Sequence, residues 1–151
     1  MVHSICDHLD MVPTIADWHW NEWGHADPGG SLQTWETGLE RRTRRDAIPT
    51  TFVALSDNMP VGSAVLVESD MSSHPELSPW LAGLYVVPSH RNSGVGTLLT
   101  QHAMDQAIAF GVQTLYLHTA SAASLYRRLG WTTKFREYYE GSNVVVMQYA
   151  A

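Results

Sequence analysis

Arg91-Asn92-Ser93-Gly94-Val95-Gly96 joins one cation to two glycines at a spacing that bares the main chain. Such a segment works through peptide N–H groups. Glycines at the first turn of a helix let a ligand approach the backbone closely, and the free N–H groups there, with the helix dipole, favour an anion. Two phosphate motifs are excluded. The Walker loop needs a lysine after its second glycine, and none stands there. The Rossmann fingerprint needs a third glycine or alanine where Leu99 sits, and no N-terminal βαβ unit precedes the segment. The histidines point to no metal, because His19 and His25, or His3 and His8, lack zinc-ligand spacing and no His-Glu-x-x-His occurs.

The elements around this segment follow from pattern. 'WLAGLYVV' (residues 80–87) reads as a strand ended by Pro88. Val95, Leu98, Leu99, Ala103, Ala107 and Phe110 then recur at helical spacing up to Gly111. 'VHSIC' reads as a short first strand, and 'HLDMVPTIADWHWNEWG' as a helix stopping at Gly24. Ser31 is the expected N-cap of a helix over 'LQTWETGLERRTRR'. 'TTFVALSD' and 'PVGSAVLVESD' form a hairpin about Asn58-Met59-Pro60. 'SDMSSHPELSP' is a polar loop. 'VQTLYLHT' is a strand and 'SAASLYRRLG' a short helix, and 'WTTKFREYYE' and 'NVVVMQYA' flank a turn at Gly141-Ser142. The expected fold is therefore a mixed sheet of six to seven strands with about four helices on its faces, α/β to α+β in class, in one domain spanning 1–151.

Fifteen acidic residues against nine basic ones disfavour nucleic acid as a partner and favour a cationic ligand. Four of the nine, Arg41, Arg42, Arg44 and Arg45, sit together and read as a solvated helix end. No apolar run is long enough for a membrane span. The N-terminus lacks the basic and apolar regions of a secretory leader. The lone Cys6 fits a reducing compartment, so a cytoplasmic location is expected.

The Arg-x-x-Gly-x-Gly segment after an apolar strand, then 'LYLHTASAASLYRRLGW' and the closing hairpin 'EYYEGSNVVVMQ', resemble the GNAT superfamily of N-acetyltransferases over residues 80–149. The resemblance implies that acetyl-CoA wedges between 'WLAGLYVV' and 'VQTLYLHT'. Leu84, Tyr85 and Val86 would then bond the pantetheine arm, and Arg91, Asn92, Ser93, Gly94, Val95, Gly96 and Thr97 would hold the pyrophosphate. Tyr126 takes the position of the general acid that protonates the departing thiolate. Thr119 stands where an asparagine often contacts the cofactor. The general base is left open: Trp80 and Ala82, at the usual positions, cannot titrate. His118, Glu68, Asp70 or a water relay remain.

The implied acceptor is a primary amine, and a homodimer is implied by analogy. Trp23, Asp27, Glu68, Asp70, Glu76, Trp80, Tyr138 and Glu140 are candidate walls for a polycationic small molecule such as an aminoglycoside, the kind of substrate some antibiotic-resistance relatives acetylate. The alternatives are a peptide or protein N-terminus, and a non-catalytic acyl-CoA sensor.

Overall fold

A computed structural model describes all 151 residues. The elements run β1 (Val2–Ser4), α1 (Val12–Trp23), α2 (Leu32–Glu40), β2 (Thr50–Ser56), β3 (Met59–Val67), β4 (Trp80–Val86), α3 (Val95–Ala109), β5 (Thr114–Thr119), α4 (Ala123–Arg128), β6 (Thr132–Tyr139) and β7 (Ser142–Ala150). One seven-stranded sheet has the order β1-β2-β3-β4-β5-β7-β6. Every neighbouring pair is antiparallel except β4 with β5.

The sheet is covered on both faces, so its central strands are buried on both sides and read as apolar runs. Val61 to Val67 are all buried. Alternate residues part to opposite faces. Phe52, Ala54, Ala64 and Leu66 pack with Leu99, Ala103, Met104 and Ala107 of α3 and with Tyr126 of α4. Val53 turns the other way, onto Ile15 and Ala16 of α1 and Leu39 of α2. On that second face Val65, Val67, Trp80, Val144 and Val146 are roofed by Met71 and Leu77 from the β3–β4 loop.

Several boundaries move. The first helix begins at Val12 after two 3-10 turns, which leaves Leu9 exposed. α2 stops at Glu40, because the chain beyond it bonds to β2: Thr51 Oγ1 donates to the Arg42 carbonyl at 2.8 Å, and Arg44 N to the Pro49 carbonyl at 3.2 Å. The first hairpin turns at Asp57-Asn58, both at positive φ, and the last at Glu140-Gly141. Met59, Pro60 and Ser142 are therefore strand residues. Leu98 is 58% exposed, because the buried stripe of α3 is Leu99, Thr100, Ala103, Met104 and Ala107. No helix is long and apolar enough to cross a membrane.

Candidate active site

The sheet is nearly severed at its one parallel contact. β4 meets β5 in register only at Trp80 and Tyr116, whereas β5 pairs with β7 along its whole length. Gly83 in β4 has φ +57°, beside a register shift against β3. A Cβ on Gly83 would come within 2.8 Å of Val65 Cγ2 and 3.0 Å of His19 Cε1, so space and backbone both demand glycine there. Past this bulge β4 keeps β3 on one side, with Val86 opposite Gly62 and Tyr85 opposite Ser63, while no strand covers the edge of Leu84, Tyr85 and Val86 that looks toward β5. A cleft of about 920 Å³ opens between the diverging strands.

At the end of β4 the glycine segment forms the entry to α3. Asn92 and Gly94 hold positive φ (60° and 89°), and Gly94 is the N-cap. The peptide N–H groups from Asn92 to Thr97 bond no acceptor in the protein; the first amide of this turn with one is Leu98, which donates to the Gly94 carbonyl at 3.0 Å. A Cβ on Gly94 would meet nothing within 4 Å, so backbone conformation alone demands glycine there. A Cβ on Gly96 would meet only Val86 Cγ2 at 3.8 Å and Leu125 Cδ2 at 4.0 Å, which are ordinary contacts. Packing within the chain leaves this glycine optional. Arg91 folds back toward β4: Nε donates to the Val86 carbonyl at 2.9 Å, and the guanidinium lies 5.5 Å from the centre of the Tyr85 ring. That ring in turn stacks on Trp18 at 5.4 Å.

Tyr126 lies on α4, packed edge-on to Trp131 at 6.1 Å and lining the cleft. Burial pushes its phenol up to about 12. Its hydroxyl has no protein hydrogen-bond partner, and since no sealed side-chain polar atom lacks one, that hydroxyl opens into the cleft. Thr119 is committed locally: Oγ1 accepts from Ala122 N at 2.9 Å and Ser121 N at 3.3 Å, shaping the turn into α4.

On the acceptor side the structure brings together His118, Asp70, Trp23, Asp27 and Glu140. His118 Nε2 lies 3.0 Å from Asp70 Oδ2. Asp27 Oδ2 accepts from Trp35 Nε1 at 2.8 Å, which ties the α1–α2 connection to α2. Other candidates fall outside. Glu68 is exposed where β3 ends and does not line the cleft. Trp80 is fully buried, its Nε1 donating to the Leu77 carbonyl at 2.7 Å, so it packs the core and walls nothing. Tyr138 is 70% exposed on the outer side of β6, and its neighbour Tyr139 faces the cleft. Glu76 is drawn instead to His74, which bridges it at 3.1 Å and Glu137 at 2.7 Å; both contacts hold the imidazole above its ordinary pKa.

Two features were missed from sequence. His19 Nε2 sits 2.8 Å from Ser63 Oγ, which donates to the Gly83 carbonyl at 2.8 Å, so a buried helix histidine props the β4 bulge. Desolvation, helped by the Arg42 charge, lowers this histidine to about 4 and keeps it neutral. His19 shares the buried face of α1 with Val12, Ile15 and Ala16, but its partner lies 44 residues away. Arg42, expected at a solvated helix end, lines the cleft.

The site is thus a parallel seam opened by a bulge and ending at a glycine turn of unpaired amides. The sequence matches the profile of the acetyltransferase (GNAT) family over residues 12–131, and the chain belongs to that family. No curated protein sequence matches it significantly. Solved structures share the fold at low identity. A ribosomal-protein-alanine N-acetyltransferase from Brucella melitensis is 16% identical with a TM-score of 0.76, covering 100% of this chain and 99% of its own. An aminoglycoside 6'-N-acetyltransferase complexed with coenzyme A is 14% identical with a TM-score of 0.76, covering 99% and 96%. A spermidine N-acetyltransferase chimera from Vibrio cholerae is 18% identical with a TM-score of 0.73, covering 99% and 94%.

The cofactor is acetyl-CoA, and the residues present fit it: unpartnered amides for its phosphates, an uncovered strand edge for its amide-bearing arm, and a phenol at the seam.

Proposed function

We propose that this chain transfers acetyl directly from acetyl-CoA to a primary amine on a small molecule. The observation that carries this reading is the run of unpartnered amides from Asn92 to Thr97 beside a seam that Tyr126 lines. Bound acetyl-CoA supplies the thioester. The amides of residues 92–97 would hold its pyrophosphate, and the free edge of Leu84, Tyr85 and Val86 would hold its arm.

Proton traffic follows from the side chains that line this cleft. An amine enters as a cation, drawn by Glu22, Asp27, Asp70 and Glu140. His118 takes the proton that the amine must lose, oriented by the Asp70 carboxylate 3.0 Å away. The His118 side chain is 25% exposed and lines the cleft, so the ring can receive a proton from the cleft and return it to water. Tyr126 serves the other side. With its phenol near 12 it stays protonated and directs its O–H at the leaving sulfur. Complete transfer to a thiolate of ordinary pKa near 8.5 would be uphill by about 5 kcal/mol. Its main contribution is therefore a hydrogen bond to the developing thiolate. The ammonium's first proton leaves through His118 before attack, and the second, shed by nitrogen as the N–C bond forms and the C–S bond breaks, neutralises the thiolate.

The carboxylates make an aminoglycoside the first compound class to try, a choice supported by the aminoglycoside 6'-N-acetyltransferase among the structural neighbours. Peptide N-termini are the competing acceptors. The test is CoA release, followed with a thiol reagent, against a panel of small amines and short peptides. Release with small amines supports this reading. Release with peptides alone would replace it, and CoA binding with no release for any amine would favour a sensor.

A further inference from the structure

Of the four arginines after α2, three are turned away from the cleft. Arg41 ends α2 on the exposed surface. Arg44 Nη1 donates to the Ile48 carbonyl at 2.9 Å, and Arg45 pairs with Asp7 at 2.7 Å. Arg42 lines the cleft. Its main chain is fixed from two sides: its N–H donates to the Leu39 carbonyl at 2.9 Å, and its carbonyl accepts from Thr51 Oγ1 at 2.8 Å. Its guanidinium has no carboxylate within ion-pair distance. Asp70, the acid whose field reaches it, is in contact with His118. Arg42 is open to solvent at the cleft, so a guest there can reach its guanidinium without displacing a partner of the protein's own.

The cleft thus presents both signs, with the carboxylates of Glu22, Asp27, Asp70 and Glu140 and one guanidinium without an ion-pair partner, on a main chain held from two sides. A guest that is positive throughout would satisfy the acids and leave Arg42 facing like charge. A guest with an ammonium and a carboxylate satisfies both, because a guanidinium offers parallel N–H donors that match a carboxylate. We infer that the acceptor is a small amino carboxylate whose carboxylate docks on Arg42 while its amine meets His118 and Asp70. This rests on the reading above of acetyl transfer to a small primary amine, and it puts an amino carboxylate in place of the aminoglycoside as the acceptor.

Matched pairs test it: several amino acids, each beside its own carboxamide, together with an aminoglycoside, assayed for CoA release by the wild-type enzyme and by the Arg42→Gln and Arg42→Lys variants. In the wild type the carboxylate member should show kcat/KM at least about 10-fold above its amide, as for a charge-assisted hydrogen bond. Arg42→Gln should bring that ratio to near one and Arg42→Lys should keep part of it, with CoA affinity in both variants equal to wild type by calorimetry. Amides used as well as acids, the aminoglycoside alone turned over, or both members of each pair losing equally in Arg42→Gln would each overturn the inference while leaving the transferase reading intact. If no amine releases CoA, the transferase reading fails. Thermal stabilisation of the CoA-loaded protein then decides the inference: an acid that stabilises more than its amide, through Arg42, upholds docking, and equal shifts overturn it.

Discussion

Tyr126 and His19 are two buried titratable residues whose environments assign them opposite duties. The phenol is kept protonated by burial near 12, so it can donate over the whole working range of pH. Tyr126→Phe removes only the hydroxyl. It should lower kcat by about 100-fold, at the modest end for a lost proton donor, while CoA affinity by calorimetry stays within about twofold of native because the cofactor is held elsewhere. An undiminished kcat would remove the tyrosine from the chemistry.

His19 carries a stability prediction. Its folded pKa, about 4, lies below the ordinary 6.5, so the unfolded chain binds the proton first. Its stabilising effect is complete above pH 6.5 and is lost as pH falls toward 4, by about 3 kcal/mol. Urea midpoints at pH 7 and pH 4.5 should differ markedly in the native protein and less in His19→Gln. Parallel pH dependences would rule the histidine out as the cause.

Among elements, the turn into α3 was the part most legible from sequence. In the proposed reading its work is done by the backbone, so the residue types that permit it, Gly94 at positive φ and Gly96 without a side chain, stand one residue apart in the sequence. Gly96→Ala adds one methyl that meets only Val86 Cγ2 of β4 at 3.8 Å and Leu125 Cδ2 of α4 at 4.0 Å, ordinary contacts within the chain. The melting temperature should stay within about 3 °C of native, since surface-type changes cost little, while the Kd for CoA rises at least about 10-fold. A variant that melts much earlier would mean that packing, and not the ligand, requires glycine.

Hairpin turns were legible to within a residue. Both slipped because Asp57, Asn58 and Glu140 adopt the left-handed conformation, which a sequence pattern assigns to glycine first. The end of α2 was missed for a different reason: the bonds that stop it reach forward to Thr51 and Pro49, and helical spacing carries no record of them.

For the whole molecule, the acceptor side was the least legible region, because it is assembled from distant segments: the α1–α2 connection, Arg42, the β3–β4 loop and the β6–β7 turn. Sequence reasoning named Asp70 and His118 separately, and only the folded sheet sets them 3.0 Å apart. It also put Trp80 on a wall, whereas the β3–β4 loop folds over it and seals it in.

The sheet itself behaves as two blocks, β1 to β4 and β5 to β6, joined at one residue pair. A ligand that spans both blocks stabilises the fold by mass action. Acetyl-CoA at about 100 times its Kd should add about 2.7 kcal/mol, raising the melting temperature by roughly 5–10 °C for a chain of this size. Differential scanning fluorimetry reads this directly, and an unmoved transition would argue against the seam as the binding place.

The main-chain grip also bears on how such sequences drift. A cradle built from peptide amides asks for bond angles and almost no particular side chains, so substitution can proceed nearly unhindered around it. That is consistent with neighbours only 14–18% identical superposing over nearly the full chain. In the proposed reading the acceptor wall is written instead in charged side chains from separate segments, so a single substitution there can alter its chemistry without touching the amide turn.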